Sequence, residues 1–282
     1  MDQKLLAVLN TPEDELGKGS PIALEVVQDD EMMCQAIAEE ILALVRENNA
    51  AGRHTVFIWP VGPVGQYAPL ARRINAERID FKNVHVFQMD EYLDDDLDPI
   101  PEDHPLSFTG FLKRFFQSID PELRPAPEQH HIPTRGREAE NWTEIQRLGG
   151  VDMAVGGIGI NGHIAFNEPP EPGESISDAA FKALGTRVLR ISRETRTING
   201  FTGARGAIDL IPQYCITIGM KEILSAKKIR FYCNREWQCG IVRKILHGEV
   251  SCHVPASFFQ QHPDAKLTVT RQVARVPMGA LR

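Results

Sequence analysis

Two short stretches of this chain carry the residue types that acid/base chemistry needs. Gln88-Met89-Asp90-Glu91-Tyr92 sets two adjacent carboxylates at the end of a β-rich run, and GGIGINGHIAFNEPP, Gly156 to Pro170, sets Asn161, His163, Asn167 and Glu168 on a glycine-rich turn. A His with a carboxylate a few residues on can form a hydrogen-bonded acid/base pair. A carboxylate at the mouth of a sheet, partly removed from water, titrates higher and becomes a better base. The glycines let the backbone turn sharply and approach a ligand. Read alone, His163 is equally well a loop histidine satisfied by local carbonyls. Gly157-x-Gly159-x-x-Gly162 also fits a dinucleotide-binding turn. Asn167-Glu168-Pro169-Pro170 then stand where that turn should open a helix, and no second strand ends in an acidic residue at the required distance, so a nicotinamide cofactor is set aside. The acidic run Asp94, Asp95, Asp96, Asp98 reads as a solvated loop, not a metal site. His104, His130 and His131 read as surface residues.

The elements that must position these groups alternate along the chain. Met33, Ile37, Ile41, Leu44 and Val45 form one stripe of a helix over Asp29 to Asn49. Thr55 to Trp59 is a short β-rich run that enters a Gly/Pro loop, as a buried parallel strand does. Helix 66–78, strand 84–88, helices 106–118 and 137–148, and strand 151–155 follow. Strands 214–218 and 228–232, a helix over 236–247 and a last strand 267–270 complete the pattern. Strands separated by helices predict a single doubly wound, Rossmann-like α/β domain with a mostly parallel sheet, covering 21–282 after an N-terminal extension of 1–20. Pro169, Pro170, Pro172 and Gly173 predict an irregular flap over 169–180 near the active site. Ligands of such sheets sit at the carboxyl ends of the strands, which directs attention to the loops after residues 59, 88, 155, 218 and 232.

The chain has 282 residues, with 31 Lys plus Arg against 38 Asp plus Glu, a net charge of -7. That balance lacks the basic surface through which general nucleic-acid binders release counterions. No apolar run approaches a membrane span, and the N-terminus lacks the apolar stretch of a signal peptide. The 5 cysteines are scattered, without zinc or redox spacing. The expectation is a cytoplasmic protein with reduced thiols, acting on a small molecule, with no nucleic-acid or membrane partner.

MDEY at Met89 to Tyr92 and GGIGINGHIAFNEP at Gly156 to Pro169 together resemble the glucosamine-6-phosphate deaminase (isomerase) family, whose wider relatives include the 6-phosphogluconolactonases. Motif order, motif separation and the tail IPQYCITIGMKEIL, Ile211 to Leu224, agree over roughly residues 25 to 265. The pair Asn167-Glu168 after the Gly-His step favours the deaminase branch. The resemblance implies Asp90 as the base between C1 and C2 of an opened amino sugar, and His163 as the ring-opening group. It implies that Glu168 and Asn161 orient the imidazole, and that no metal and no redox cofactor takes part. Position 161 is Asn where many members have Asp; it can fix the tautomer but adds no charge.

The distal end departs from the family pattern. Where the family loop reads like P-T-G-G-T-P, this chain has Pro60-Val61-Gly62-Pro63-Val64-Gly65. Two hydroxyls have become valine, and Pro63 has no N–H to give a phosphate. The family's phosphate-binding Arg matches Arg196, while its Lys falls on Trp237, with Arg235 two positions away. Trp237 is either an aromatic cover on a helix start or a wall that reshapes the pocket. The substrate-binding set expected here is Gly62, Gly65, Glu91, Gly159, Gly162, Arg196, Arg235 and Trp237. A sugar isomerase/deaminase with altered distal specificity is the leading reading. A lactonase of the same fold and a non-catalytic sugar sensor are the alternatives, and a homo-oligomer is left open.

Overall fold

The computed structural model describes residues 2–277. Its strands are β1 (Ala23–Val27), β2 (Thr55–Trp59), β3 (Val84–Gln88), β4 (Asp90–Leu93), β5 (His130–His131), β6 (Met153–Gly157), β7 (Arg187–Arg190), β8 (Tyr214–Thr217), β9 (Lys228–Cys233) and β10 (Ala265–Thr270). Its helices are α1 (Gln3–Leu9), α2 (Asp30–Ala50), α3 (Tyr67–Ala76), α4 (Phe108–Gln117), α5 (Glu138–Arg147), α6 (Asp178–Lys182), α7 (Arg193–Gly203), α8 (Met220–Leu224), α9 (Cys239–His247) and α10 (Arg271–Ala274).

Seven strands pair in the order β1-β10-β9-β6-β2-β3-β5, every neighbour parallel. β2 is buried at all 5 positions, as a strand covered on both faces must be. On one face, Met33, Ile37, Ile41 and Val45 of α2 pack with Leu70 and Ile74 of α3 and Leu112 of α4 against Phe57 and Val86. The other face is covered by Val242 and Ile245 of α9 with Phe258 and Phe259, packed on Ile58, Ala154 and Phe231. The stripe expected on α2 is thus the inward stripe. Its helix begins where the Asp29 side chain accepts the Met32 N–H, an N-cap that satisfies one of the free donors of the first turn.

A second sheet was not legible in the sequence. β4, β8 and β7 pair antiparallel as a separate three-stranded sheet. The run at 214–218, expected in the parallel sheet, is its central strand. β3 and β4 are separated only by Met89, whose N–H donates to Trp59 O at 2.9 Å and whose carbonyl accepts from Ile218 N at 2.7 Å. That single residue hands the chain from one sheet to the other. A strong β run conceals such a change of partner, because periodicity reports the strand and not its neighbour.

His130 and His131 are corrected from surface residues to half-buried members of edge strand β5. His130 Nε2 bonds Gln88 Oε1 at 2.9 Å, and His131 Nε2 bonds His85 Nδ1 at 3.1 Å while its ring stacks on Phe87. Burial pushes both imidazoles down to about 4. His104 is also half-buried, its Nδ1 accepting from Leu106 N. The N-terminal segment lies on α9: fully buried Arg243 donates to the carbonyls of Thr11, Cys239 and Ala274. Among the described residues, no helix is long and apolar enough to cross a membrane.

Candidate active site

The carboxyl ends of β2, β3, β6 and β9 border a cleft of about 250 Å³, lined by Asp90, His163, Gly159 and Phe166, the proximal set, and by Val61, Gly62, Pro63, Arg235 and Trp237, the distal set. This is where an α/β sheet holds its ligand. Asp90 opens β4 in register with Thr217 and is 7% exposed. Burial, and then the charge of Glu91, push its carboxyl up to about 8. Nearby Tyr67 and Cys215 are also raised by burial, so they stay neutral around it.

The imidazole is held by its own loop. His163 Nδ1 lies 2.8 Å from Asn161 Oδ1, 3.2 Å from Thr195 Oγ1 and 3.3 Å from Glu168 Oε2. Asn161 Nδ2 donates to the same Glu168 oxygen at 2.8 Å. Burial alone would raise the Glu168 carboxyl, but the imidazole and the hydrogen bonds of His163, Asn161 and Thr195 hold it at about 2. An imidazole whose Nδ1–H is committed to an amide oxygen offers Nε2 as an acceptor.

The loop takes this shape for stated reasons. A Cβ on Gly159 would lie 2.2 Å from His163 Nε2, so the ring packs over a position only glycine can occupy. Gly162 has φ +89, a conformation glycine adopts without strain. Fully buried Asn167 clamps the loop end: Nδ2 donates to Ile164 O and Ile218 O, and Oδ1 accepts from Arg187 Nη1.

Asp90, His163, Gly62, Gly159, Arg235 and Trp237 all line the cleft, with Asn161 and Glu168 behind the imidazole. Four other expected residues lie elsewhere. The Gly65 backbone packs on Cys34 Sγ, and a Cβ on Gly162 would meet Val254 and Ile241 instead of the cleft. Glu91 points away from Asp90, as strand neighbours do, and its carboxylate accepts from Ser107, Phe108 and Thr109 at the start of α4. Arg196 donates to Ile211 O through Nε and Nη2, and lines a separate cavity of about 1300 Å³ beside the irregular residues 169–176. The segment expected as a flap thus borders that second cavity, and α6 begins at Asp178 within it.

Helical periodicity explains the loss of Arg196. Thr195, Ile198, Asn199 and Thr202 follow the i, i+3, i+4, i+7 spacing of one α7 face, and position 196 is rotated by about 100° from it. Thr195 touches His163, while Ile198, Asn199 and Thr202 line the cleft. Sequence reasoning missed all four. Their one local signal is Ser192, whose hydroxyl accepts the Thr195 N–H and caps α7.

The distal end is built differently. Asn199, which lines the cleft, donates through Nδ2 to Tyr92 Oη at 2.9 Å. Trp237 Nε1 is buried with no hydrogen-bond partner, and Arg235 is exposed. The Asp94 run is a local turn in which Asp94 Oδ1 accepts from Asp96 N and Asp98 N.

No protein-family model matches the chain. It is 31% identical over 219 residues to the glucosamine-6-phosphate deaminase of Thermoanaerobacter pseudethanolicus, covering 75% of this chain and 79% of that protein. It is 33% identical over 222 residues to glucosamine-6-phosphate deaminase 1 of Bacillus subtilis, covering 75% and 82%. Among solved structures, a monomeric glucosamine-6-phosphate deaminase superposes with a TM-score of 0.77 at 28% identity, covering 90% of this chain and 100% of that one. A 6-phosphogluconolactonase from Plasmodium vivax superposes with a TM-score of 0.64 at 16% identity over 92% and 94%, a likeness of fold.

Proposed function

The chain belongs to the glucosamine-6-phosphate deaminase family, and from that premise we propose that its cleft opens glucosamine 6-phosphate or a close relative, isomerises it and releases ammonium. The observation that carries this reading is the convergence of Asp90 and His163 on one cleft, with His163 Nδ1 engaged by Asn161. His163 Nε2 takes the proton of the anomeric hydroxyl and returns a proton to the ring oxygen, so the C1–O5 bond breaks and the aldehyde forms. Asp90 then removes the C2 hydrogen as a proton while O1 is protonated, which gives the enolamine. Returning that proton to C1 leaves a C2 iminium. Water adds at C2, the C–N bond breaks, and a ketose and ammonium leave. Asn161, Thr195 and Glu168 fix the imidazole through these steps.

Asp90 must be ionised to accept a proton. With its carboxyl pushed up to about 8, the acid form prevails below that pH, and kcat/KM rises with pH through it. At the distal end, exposed Arg235 receives the substrate's anionic group beside the Trp237 ring, in place of the hydroxyls absent at Val61 and Val64. An acidic chain with no cysteine pair among the described residues supports a cytoplasmic role on a small sugar, without nucleic-acid or membrane partners.

Ammonium release from glucosamine 6-phosphate and from glucosamine, measured in parallel with an Asp90→Asn control, tests the reading. Turnover of the phosphorylated sugar, lowered about 100-fold or more in the control, is expected. Turnover of a sugar lactone without ammonium release would overturn it.

A further inference from the structure

Glu91 is among the least exposed charged side chains of the protein, at 1%. Its Oε1 accepts from Tyr92 N at 2.8 Å and Phe108 N at 3.1 Å, and its Oε2 from Ser107 Oγ at 3.0 Å and Thr109 N at 2.7 Å. Both oxygens are filled by donors. Among the described residues it forms no ion pair. Three of its four donors come from the capped first turn of α4, where free N–H groups and the helix dipole favour a negative charge. A buried carboxylate without a cation is costly unless donors of this kind compensate it. It is built into the strand immediately beside Asp90.

We propose that Glu91 is a positioning residue with two consequences: it docks the N-terminus of α4 against the catalytic strand, and its uncancelled charge makes Asp90 a stronger base. The inference rests on Asp90 being the base of the reaction. The titratable groups around Asp90 are Tyr92 on its own strand, Tyr67 at the start of α3, Cys215 on β8 and His163 in the same cleft, with Glu91 next to it in sequence and on the opposite face of the strand. Tyr67, Tyr92 and Cys215 are raised by burial and stay neutral, so Glu91 is the neighbour on these elements whose negative charge opposes ionisation of Asp90. The α4 donors hold that charge by hydrogen bonds without a cation to cancel it. Such a charge acts on its sequence neighbour through the poorly screened interior.

The test titrates Asp90 directly in the resting protein by carboxyl-carbon NMR, with Asp90→Asn to assign its signal. A failure of turnover would sink the functional reading, and the titration would still decide by itself whether Glu91 raises Asp90. In the unmodified protein the midpoint is expected well above the ordinary carboxylate range, and a midpoint near 4 overturns the proposal. Glu91→Gln is expected to lower it by about one pH unit, tenfold in ionisation constant, with the acid limb of kcat/KM moving down alongside. An unmoved midpoint in folded Glu91→Gln overturns the proposal. Ser107→Ala removes one donor and keeps the charge, so the midpoint stays raised; a fall equal to that of Glu91→Gln would assign the effect to packing and overturn it. If Glu91→Gln does not fold, Glu91→Asp decides, since it keeps the charge: a raised midpoint supports the proposal, and a fall to the ordinary range overturns it.

Discussion

The two ends of the cleft are finished to different degrees. At the proximal end, the His163 Nδ1, Asn161 and Glu168 Oε2 atoms are joined within one loop at 2.8 to 3.3 Å. At the distal end, Trp237 Nε1 is buried without a partner, and Arg235 stands exposed at the mouth. Hydrogen bonds made before substrate arrives fix a tautomer and a ring orientation, which general acid/base transfer requires. The exposed Arg235 guanidinium can reach a ligand in the cleft. The proposed chemistry thus rests on contacts the chain makes by itself, and the proposed choice of substrate on groups still to meet a ligand.

The sharpest way to break this contrast is at its prebuilt end. Asn161→Leu removes the acceptor at His163 Nδ1 and frees the imidazole to turn or change tautomer. We expect kcat to fall about 100-fold while KM changes little, because Asn161 lies behind the imidazole and not in the cleft. Steady-state ammonium release checks it, and a KM effect with an unchanged kcat would show that Asn161 holds substrate instead.

That proximal end was the part legible in the sequence. Asp90, Asn161, His163 and Glu168 stand in two contiguous stretches, and the close approach at Gly159 leaves a glycine as its mark. The parallel sheet and α2 were legible for a similar reason, since burial on both faces or along one stripe writes a local periodicity. The antiparallel sheet β4-β8-β7 was not, because its strands pair across 90 to 217 in sequence and carry no shared pattern. With it went α7, with Thr195 against the imidazole and the cleft-facing Asn199 and Thr202. Arg196 shows the cost of matching positions without geometry, since one helical step turns a side chain from one cavity to another. Glu91 shows the same for a strand, where adjacent carboxylates face opposite sides.

At the open end the effects are smaller and fall on KM. Arg235→Gln removes the cation at the cleft mouth. A hydrogen bond to a charged group is worth about 1.5–3 kcal/mol, and about 1.4 kcal/mol is tenfold. Exposure of Arg235 to solvent places the effect at the low end. KM for glucosamine 6-phosphate is therefore expected to rise about tenfold with kcat retained, and kcat/KM for unphosphorylated glucosamine to stay unchanged. An equal loss with both sugars would show that Arg235 supports the fold of the turn and not a distal anion.

Trp237→Phe is the smallest and most selective change. Phe keeps an aromatic wall of similar breadth but cannot donate, so the variant separates the two roles available to position 237. If the buried Nε1 bonds the substrate, one hydrogen bond is lost, about 1 kcal/mol, and KM for the phosphorylated sugar rises roughly fivefold. In the free protein that N–H has no partner, so its removal costs the fold nothing and the thermal midpoint is expected to hold or rise slightly. An unchanged KM with a raised midpoint would make Trp237 a wall only, and would leave Arg235 as the group that meets the substrate's anionic end.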